Sequence, residues 1–271
     1  MSDSYYKLID STDGRGERFI ATDLARSTWS ASIQHGAPVS ALLTRALERC
    51  EQRSDTRLSR VVVDLLGGVP ADGEFWVSAR IERPGKQIEL VSAQMLGPGP
   101  DGPRLVAQAS GWRMQMLDTE GLTHAAEPPL RPLSEARSRD IADDRVRNYV
   151  HSLDWRWLTA PLNEGPGESW LNPTTTLVGG ETTTPLQRLF SVADCANGLG
   201  SRIDTRKWTF LNTDLAVHIH RIPRGEWTGI RAETDYGPDG VAVTIGTLFD
   251  QSGPVGAIQQ SVLVRPRPVG P

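Results

Sequence analysis

This chain is poor in the residues that carry covalent or metal chemistry. It has 2 cysteines and 5 histidines in 271 residues. Cys50 and Cys195 lie far apart on expected helices and read as buried free thiols in a reducing compartment. A nucleophilic Cys195 would want a histidine partner and a lowered pKa, and the sequence shows no sign of either. Long apolar runs are missing too: none approaches the roughly 18 residues that a membrane helix needs. The opening MSDSYYKLIDS has no basic region followed by an apolar one, so we expect no signal peptide and a cytoplasmic location. Positive charge is not in excess. A net charge of −4 argues against a general binder of nucleic acid or anionic membrane, and leaves room for a local basic patch toward a phosphorylated ligand.

What the chain does have is ordinary apolar content, 38%, and many turn formers, with 26 glycines and 19 prolines. That balance favours an antiparallel β protein over a helical bundle. In chain order, residues 1–18 read as a ragged start and Phe19 to Thr28 as a first strand. Leu42, Leu43, Ala46, Leu47 and Cys50 fall at helical spacing and predict a helix over 38–51. The segments RLSRVVVDLL, EFWVSARIER, KQIELVSAQML and PRLVAQASGWRMQML follow as strands, separated by Gly- and Pro-containing turns. A proline- and charge-rich stretch then looks like a linker. Trp155 and Trp157 alternate as in a strand that opens a second unit.

The order then repeats. TTTPLQRLFSVADCANGLGS reads as one helix, with Thr184 as its cap and Pro185 at its first position. WTFLNTDLAVHIHRI, WTGIRAETDYG, VAVTIGTLFD and VGAIQQSVLVRP read as four more strands. Aligned on Pro38 and Pro185, Leu42 faces Leu189, Leu43 faces Phe190 and Ala46 faces Ala193. The last strands align from Gly102 and Gly253 without a gap, and set Gln108 against Gln259. The differences carry the functional signal. Asp194 falls opposite Leu47, and Gln260 opposite Ala109. A carboxylate entering an apolar stripe costs several kcal/mol unless something pairs with it. One surviving site in a duplicated domain would leave this pattern. We expect an N-terminal repeat over 1–117 with its site lost, a linker over 118–152, and a C-terminal repeat over 153–271 carrying the site.

Four stretches in this order, WSASIQHGAPVSALLTRALE, SVADCANGLG, FLNTDLAVHIHR and GAIQQSVLVR, resemble the type II acyl-CoA thioesterase family in its actinobacterial-style branch. The resemblance implies an α+β double hotdog: two tandem repeats, each a helix with an antiparallel sheet, sharing one continuous sheet. It implies hydrolysis of acyl-CoA thioesters to free acid and CoA, with no cofactor. The family's Asp, polar strand residue and Gln match Asp194, Asn212 and Gln260. Asn212 departs from the usual Thr, and Thr213 supplies the hydroxyl if the register slips by one. Asp194 is then the base, and the amides or hydroxyl hold the attacking water. Hotdog sheets commonly pair, so a homo-oligomer, dimer or higher, is expected.

His35 and Gly36 open the first helix. They are candidates for substrate binding, with the histidine as a lid over the acyl group or as a base, and the glycine as a point of close backbone approach. His218 and His220 share a strand face, but no third ligand stands at a telling spacing, so no metal is expected. Two other readings stay open: a non-catalytic acyl-CoA or lipid binder, favoured by Asn212, and a hotdog dehydratase or hydratase using His35.

Overall fold

The structure is a computed structural model that describes residues 4–10, 14–138, 149–162 and 164–267. The first half contains β1 (Ser4–Asp10), β2 (Glu17–Ala21), α1 (Gly36–Arg49), β3 (Thr56–Leu65), β4 (Glu74–Arg83), β5 (Ile88–Gly97) and β6 (Arg104–Gln115). The connection holds β7 (Arg137–Ser138). The second half contains β8 (Leu153–Trp157), β9 (Gly167–Pro173), β10 (Thr176–Val178), α2 (Pro185–Ala193) and α3 (Ala196–Leu199), then β11 (Trp208–Asn212), β12 (Asp214–Ile219), β13 (Thr228–Tyr236), β14 (Val241–Asp250) and β15 (Gly253–Pro266).

All these strands belong to one sheet. β4, β5, β6 and β3 form an antiparallel set in the first half, and β12, β15, β14 and β13 form its counterpart. The two sets meet where β3 pairs with β12, from Asp214 opposite Asp64 to His218 opposite Arg60. α1 packs on β3 to β6, α2 on β9 and β13, and the two helices on each other. This is the expected double hotdog with a continuous sheet.

Periodicity explains the helices. In α1, Val39, Leu42, Leu43 and Leu47 are wholly buried, and in α2 so are Leu189, Phe190, Val192 and Ala193. The expected cap is present: the Thr184 hydroxyl accepts from the Gln187 N–H at 3.1 Å, and the Gln187 side-chain oxygen accepts from the Thr184 N–H at 3.3 Å. Glu48 of α1 reaches over to accept from the Thr184 hydroxyl and the Gln187 amide at 2.9 and 2.7 Å. Thr184→Ala removes the cap and one partner of that carboxylate. It is expected to cost about 1–2 kcal/mol, measured as a lower urea midpoint with an unchanged slope.

Several expectations are corrected. Ser4–Asp10 is a strand, not a ragged start. It forms because β1 finds distant partners: Ser4 pairs with Thr176 and Tyr6 with Val178 in the second half. The Tyr6 hydroxyl donates to Gln34 at 2.6 Å, and Tyr5 and Tyr6 are fully buried. The first expected strand, 19–28, runs only over Glu17–Ala21, and Asp23–Ala25 is a single tight helical turn. α1 starts at Gly36, two residues before the expected Pro38. The second helix is not continuous. It stops at Asp194, which caps it, and restarts as α3. The strand expected over 208–222 divides at Thr213, and β9 and β10 carry no sequence pattern that marks them as strands. Of the expected linker, 139–148 lies outside the described residues, while Tyr149 is buried. Among the described residues no helix is long and apolar enough to cross a membrane.

Candidate active site

The two packed helices bring the start of α1 against the end of α2, and Asp194 sits where they meet. Its carboxyl is almost wholly buried. Oδ1 accepts two amide bonds, from Asn212 Nδ2 at 2.6 Å and from Gln260 Nε2 at 3.1 Å. Strand alternation delivers Gln260: it points inward from β15, while Gln259 is exposed. Asn212 ends β11, where the break before β12 turns its amide inward. Its Nδ2 also donates to the Asp214 carbonyl at 3.1 Å, and its Oδ1 accepts from Asn197 Nδ2 at 3.3 Å. The Asn212 amide therefore reaches three partners.

Oδ2 faces the first half. His35 Nδ1 lies 3.3 Å away. A Cβ on residue 36 would stand 2.6 Å from Oδ2, so only glycine lets the helix start approach this closely. His35 caps α1, accepting the Ala37 N–H on Nδ1 at 3.1 Å, and its ring stacks on Tyr149 with centroids 4.3 Å apart. Burial pulls the His35 pKa down to about 3. The ring is neutral at ordinary pH, so its contact with Asp194 is not an ion pair. Nδ1 can accept from Ala37 or donate to Asp194, but one tautomer cannot do both.

Burial pushes the Asp194 pKa up to about 6, against the two amide bonds that lower it. Its position at the carbonyl end of α2 is unfavourable for charge, while the N–H end of α1 opposite is favourable. A carboxyl poised near 6 is ionised at neutral pH and basic enough to take a proton. Gln260 Oε1 is buried without a hydrogen-bond partner among the described residues, an open acceptor beside the carboxylate. The site opens into a cavity of about 220 Å³ lined by His35, Gly36, Asp194, Asn212, Leu65 and Leu263 among others.

Four expected site residues thus join Asp194: Gln260, Asn212, His35 and Gly36. Thr213 does not. It lines the cavity, but its N–H and hydroxyl turn to the Ser261 carbonyl, at 3.0 and 3.5 Å. In the first half the corresponding Leu47 and Ala109 are both buried apolar residues. Cys195 is buried, and burial raises its pKa, which disfavours the thiolate. Among the described residues no group of three or more His, Cys, Asp or Glu could hold a metal ion.

Comparison with known families decides the class. Residues 25–114 match the acyl-CoA thioesterase N-terminal domain, and residues 125–264 match the acyl-CoA thioesterase C-terminal domain. The chain belongs to the acyl-CoA thioesterase family. Similar solved structures include the acyl-CoA thioesterase II TesB2 of Mycobacterium marinum, at 16% identity over 93% of this chain and 94% of that one, TM-score 0.66. The tesB protein of Mycobacterium avium subs paratuberculosis is 13% identical over 96% of both chains, TM-score 0.67. A hot dog fold protein from Alicyclobacillus acidocaldarius is 14% identical over 96% of both, TM-score 0.73. Comparison with curated proteins gives no match. For this thioesterase, sequence reasoning missed Tyr149 and Asn197. Tyr149 comes from a stretch with no periodicity, and its hydroxyl donates to the Ser191 carbonyl of α2. Asn197 had a signal, an amide one turn beyond Asp194.

Proposed function

We propose that this thioesterase hydrolyses acyl-CoA to free acid and CoA, with Asp194 as general base at a single site per chain. One observation carries the reading: a buried carboxyl with one oxygen fixed by two amides and the other turned to His35 and Gly36 at the head of α1. Gln260 and Asn212 hold Oδ1, so Oδ2 is aimed. A water donating to Oδ2 and to Gln260 Oε1 is presented for attack on the thioester carbonyl. As charge builds on the carbonyl oxygen, the Gly36 N–H at the head of α1 is placed to receive it. Pro38 has no N–H, and that of Ala37 is used by His35. The thiolate of CoA leaves, and Asp194 returns the proton.

The test follows free thiol release from acyl-CoAs of rising chain length across pH 4–9. We expect kcat/KM to rise with pH through about 6 and then level, because only ionised Asp194 accepts a proton. Saturable binding without thiol release would favour the non-catalytic reading. The closeness of His35 to Asp194 keeps the hydratase reading alive, and hydration of an enoyl-CoA without thiol release would select it.

The loss of a site from the first half is part of the same proposal, resting on Leu47 and Ala109 where Asp194 and Gln260 stand. So is self-association through a second copy. It rests on a row of exposed apolar side chains joined across strands, with Leu211 paired to Leu263, Leu263 to Val241, and Val243 and Ile245 following on β14. Sedimentation velocity reads it directly.

A further inference from the structure

A second cavity, about 410 Å³, adjoins the catalytic one and shares Trp29, His35 and Asn197 with it. Its other walls include Trp155, Trp157 and Phe210, and Thr205 and Arg267 stand at its lip. Resting on the hydrolase reading above, we infer that this second cavity holds the pantetheine arm of CoA, that Arg267 at its lip and Lys207, bonded to it through the backbone, bind the diphosphate, and that the acyl group lies on the opposite side, in the smaller cavity.

Three observations converge on this direction. The first is length. β11 runs unbroken from Trp208 to Asn212 against Pro266 to Val262 of β15, and the Lys207 carbonyl continues the ladder by accepting the Arg267 N–H at 2.7 Å. Five strand steps from Asn212 to Lys207 span about 17 Å. An extended pantetheine arm, roughly thirteen bonds from sulfur to the first phosphorus, spans about 16 Å. With the thioester at Asp194 and Asn212, the diphosphate arrives at Lys207.

The second is chemistry along the way. The Trp157 indole N–H is buried without a partner among the described residues, whereas the Trp155 N–H donates to the Val150 carbonyl at 2.9 Å. An unmet donor in an aromatic wall calls for an acceptor brought by the ligand. The two amide carbonyls of pantetheine are such acceptors, and a saturated acyl chain has none.

The third is charge. Lys207 makes no ion pair among the described residues, and the nearby Asp204 is taken by Arg206 at 2.9 Å. Arg265 and Arg267 donate there only to backbone carbonyls: Arg265 to Gly240 and Val264, Arg267 to Thr205. Arg265 and Arg267 are thus left for an anion, and Lys207, whose charge also bears on Asp204, stands beside them. The smaller cavity has neither Lys nor Arg in its lining. Asp64 and Asp214, which pair across the seam, immediately precede or follow its residues Leu65 and Thr213. A polyphosphate leaving on that side would meet carboxylates, while an apolar acyl group meets Leu65, Ile33, Val69 and Leu263.

The experiment compares hexanoyl-CoA with hexanoyl-N-acetylcysteamine, which carries the same thioester and no phosphate. In the double variant Lys207→Glu, Arg267→Glu we expect KM for the CoA substrate to rise tenfold or more with kcat within twofold, and KM for the truncated thioester to move less than twofold. Trp157→Phe keeps an aromatic side chain and removes the donor, and should raise KM for hexanoyl-CoA and hexanoyl-pantetheine alike. Arg80→Glu, on the exposed face of β4, is the charge control and should change neither. Equal shifts on both substrates in the double variant, or no shift on either, overturn the inference. If the wild type hydrolyses neither thioester, the hydrolase reading fails. Calorimetric titration with CoA alone then still reads this site: affinity lost tenfold in the double variant supports it, and unchanged affinity refutes it.

Discussion

Asp194→Asn is expected to cut thiol release roughly a thousandfold, as loss of a positioned general base does, while making the folded protein more stable at pH 8. The two effects share a cause. Asn keeps an oxygen for the Asn212 and Gln260 amides, so the shape of the site persists. What disappears is the buried charge. Burial raises this carboxyl from an ordinary 3.8 to about 6. A folded pKa above the unfolded one means that ionisation opposes folding. The cost is absent below about pH 4, grows as pH rises, and is complete above about 6, where a pKa difference of this size is worth about 3 kcal/mol. The variant should therefore melt several degrees higher than wild type at pH 8 and level with it at pH 4. Retained hydrolysis would remove Asp194 from the mechanism. Equal melting at both pH values would show that the carboxylate carries no burial penalty.

Arg45→Ala is expected to be the most damaging change to stability, at about 3–5 kcal/mol. Arg45 is fully buried in α1. Its guanidinium donates to Glu17 of β2 at 2.7 and 3.0 Å, and to Glu181, ahead of α2, at 2.7 Å twice. It therefore ties β2, the first helix and the entry to the second helix together. Without it, two half-buried carboxylates face each other across the hole. Hydrogen bonding to Arg45 holds the Glu181 pKa below its usual value, so this part of the stability is present at neutral pH and fades as acid protonates the group. The deficit of Arg45→Ala should accordingly shrink toward pH 4. Adding Glu17→Gln and Glu181→Gln should recover part of the loss at pH 7. Denaturant titration measures both, and a deficit independent of pH would assign the effect to lost packing alone.

Much of this architecture is legible in the amino-acid order because local physics dominates it. Pro38 and Pro185 head apolar stripes of the same period, and Gly-Pro turns separate the strands. Asp194 stands out because an acid has no business in such a stripe unless something meets it. Gln260 follows from alternation on β15. The rest depends on contacts between parts remote in sequence. Ser4–Asp10 carries no strong strand pattern and becomes a strand because β2 and β10 pair with it from either side. Tyr149 sits among polar neighbours and is buried by the His35 ring. The interruption at Asp194 is invisible to periodicity, since Ala193 and Ala196 would continue a helix. By residue type alone Thr213 is as suitable as Asn212, and only the break between β11 and β12 fixes which side chain turns inward.

The seam between β3 and β12 has a mechanical consequence. Oδ2 of Asp194 belongs to one half, and the helix start it faces belongs to the other. The ladder from Asp64 to Arg60 works as an alignment rail between them. A slip of one residue along that rail displaces one half by about 3.3 Å, as far as His35 now lies from the carboxylate. Hydrogen bonds far from any substrate thus set the spacing at the reacting centre, and loosening them would detune the acid before the protein unfolds.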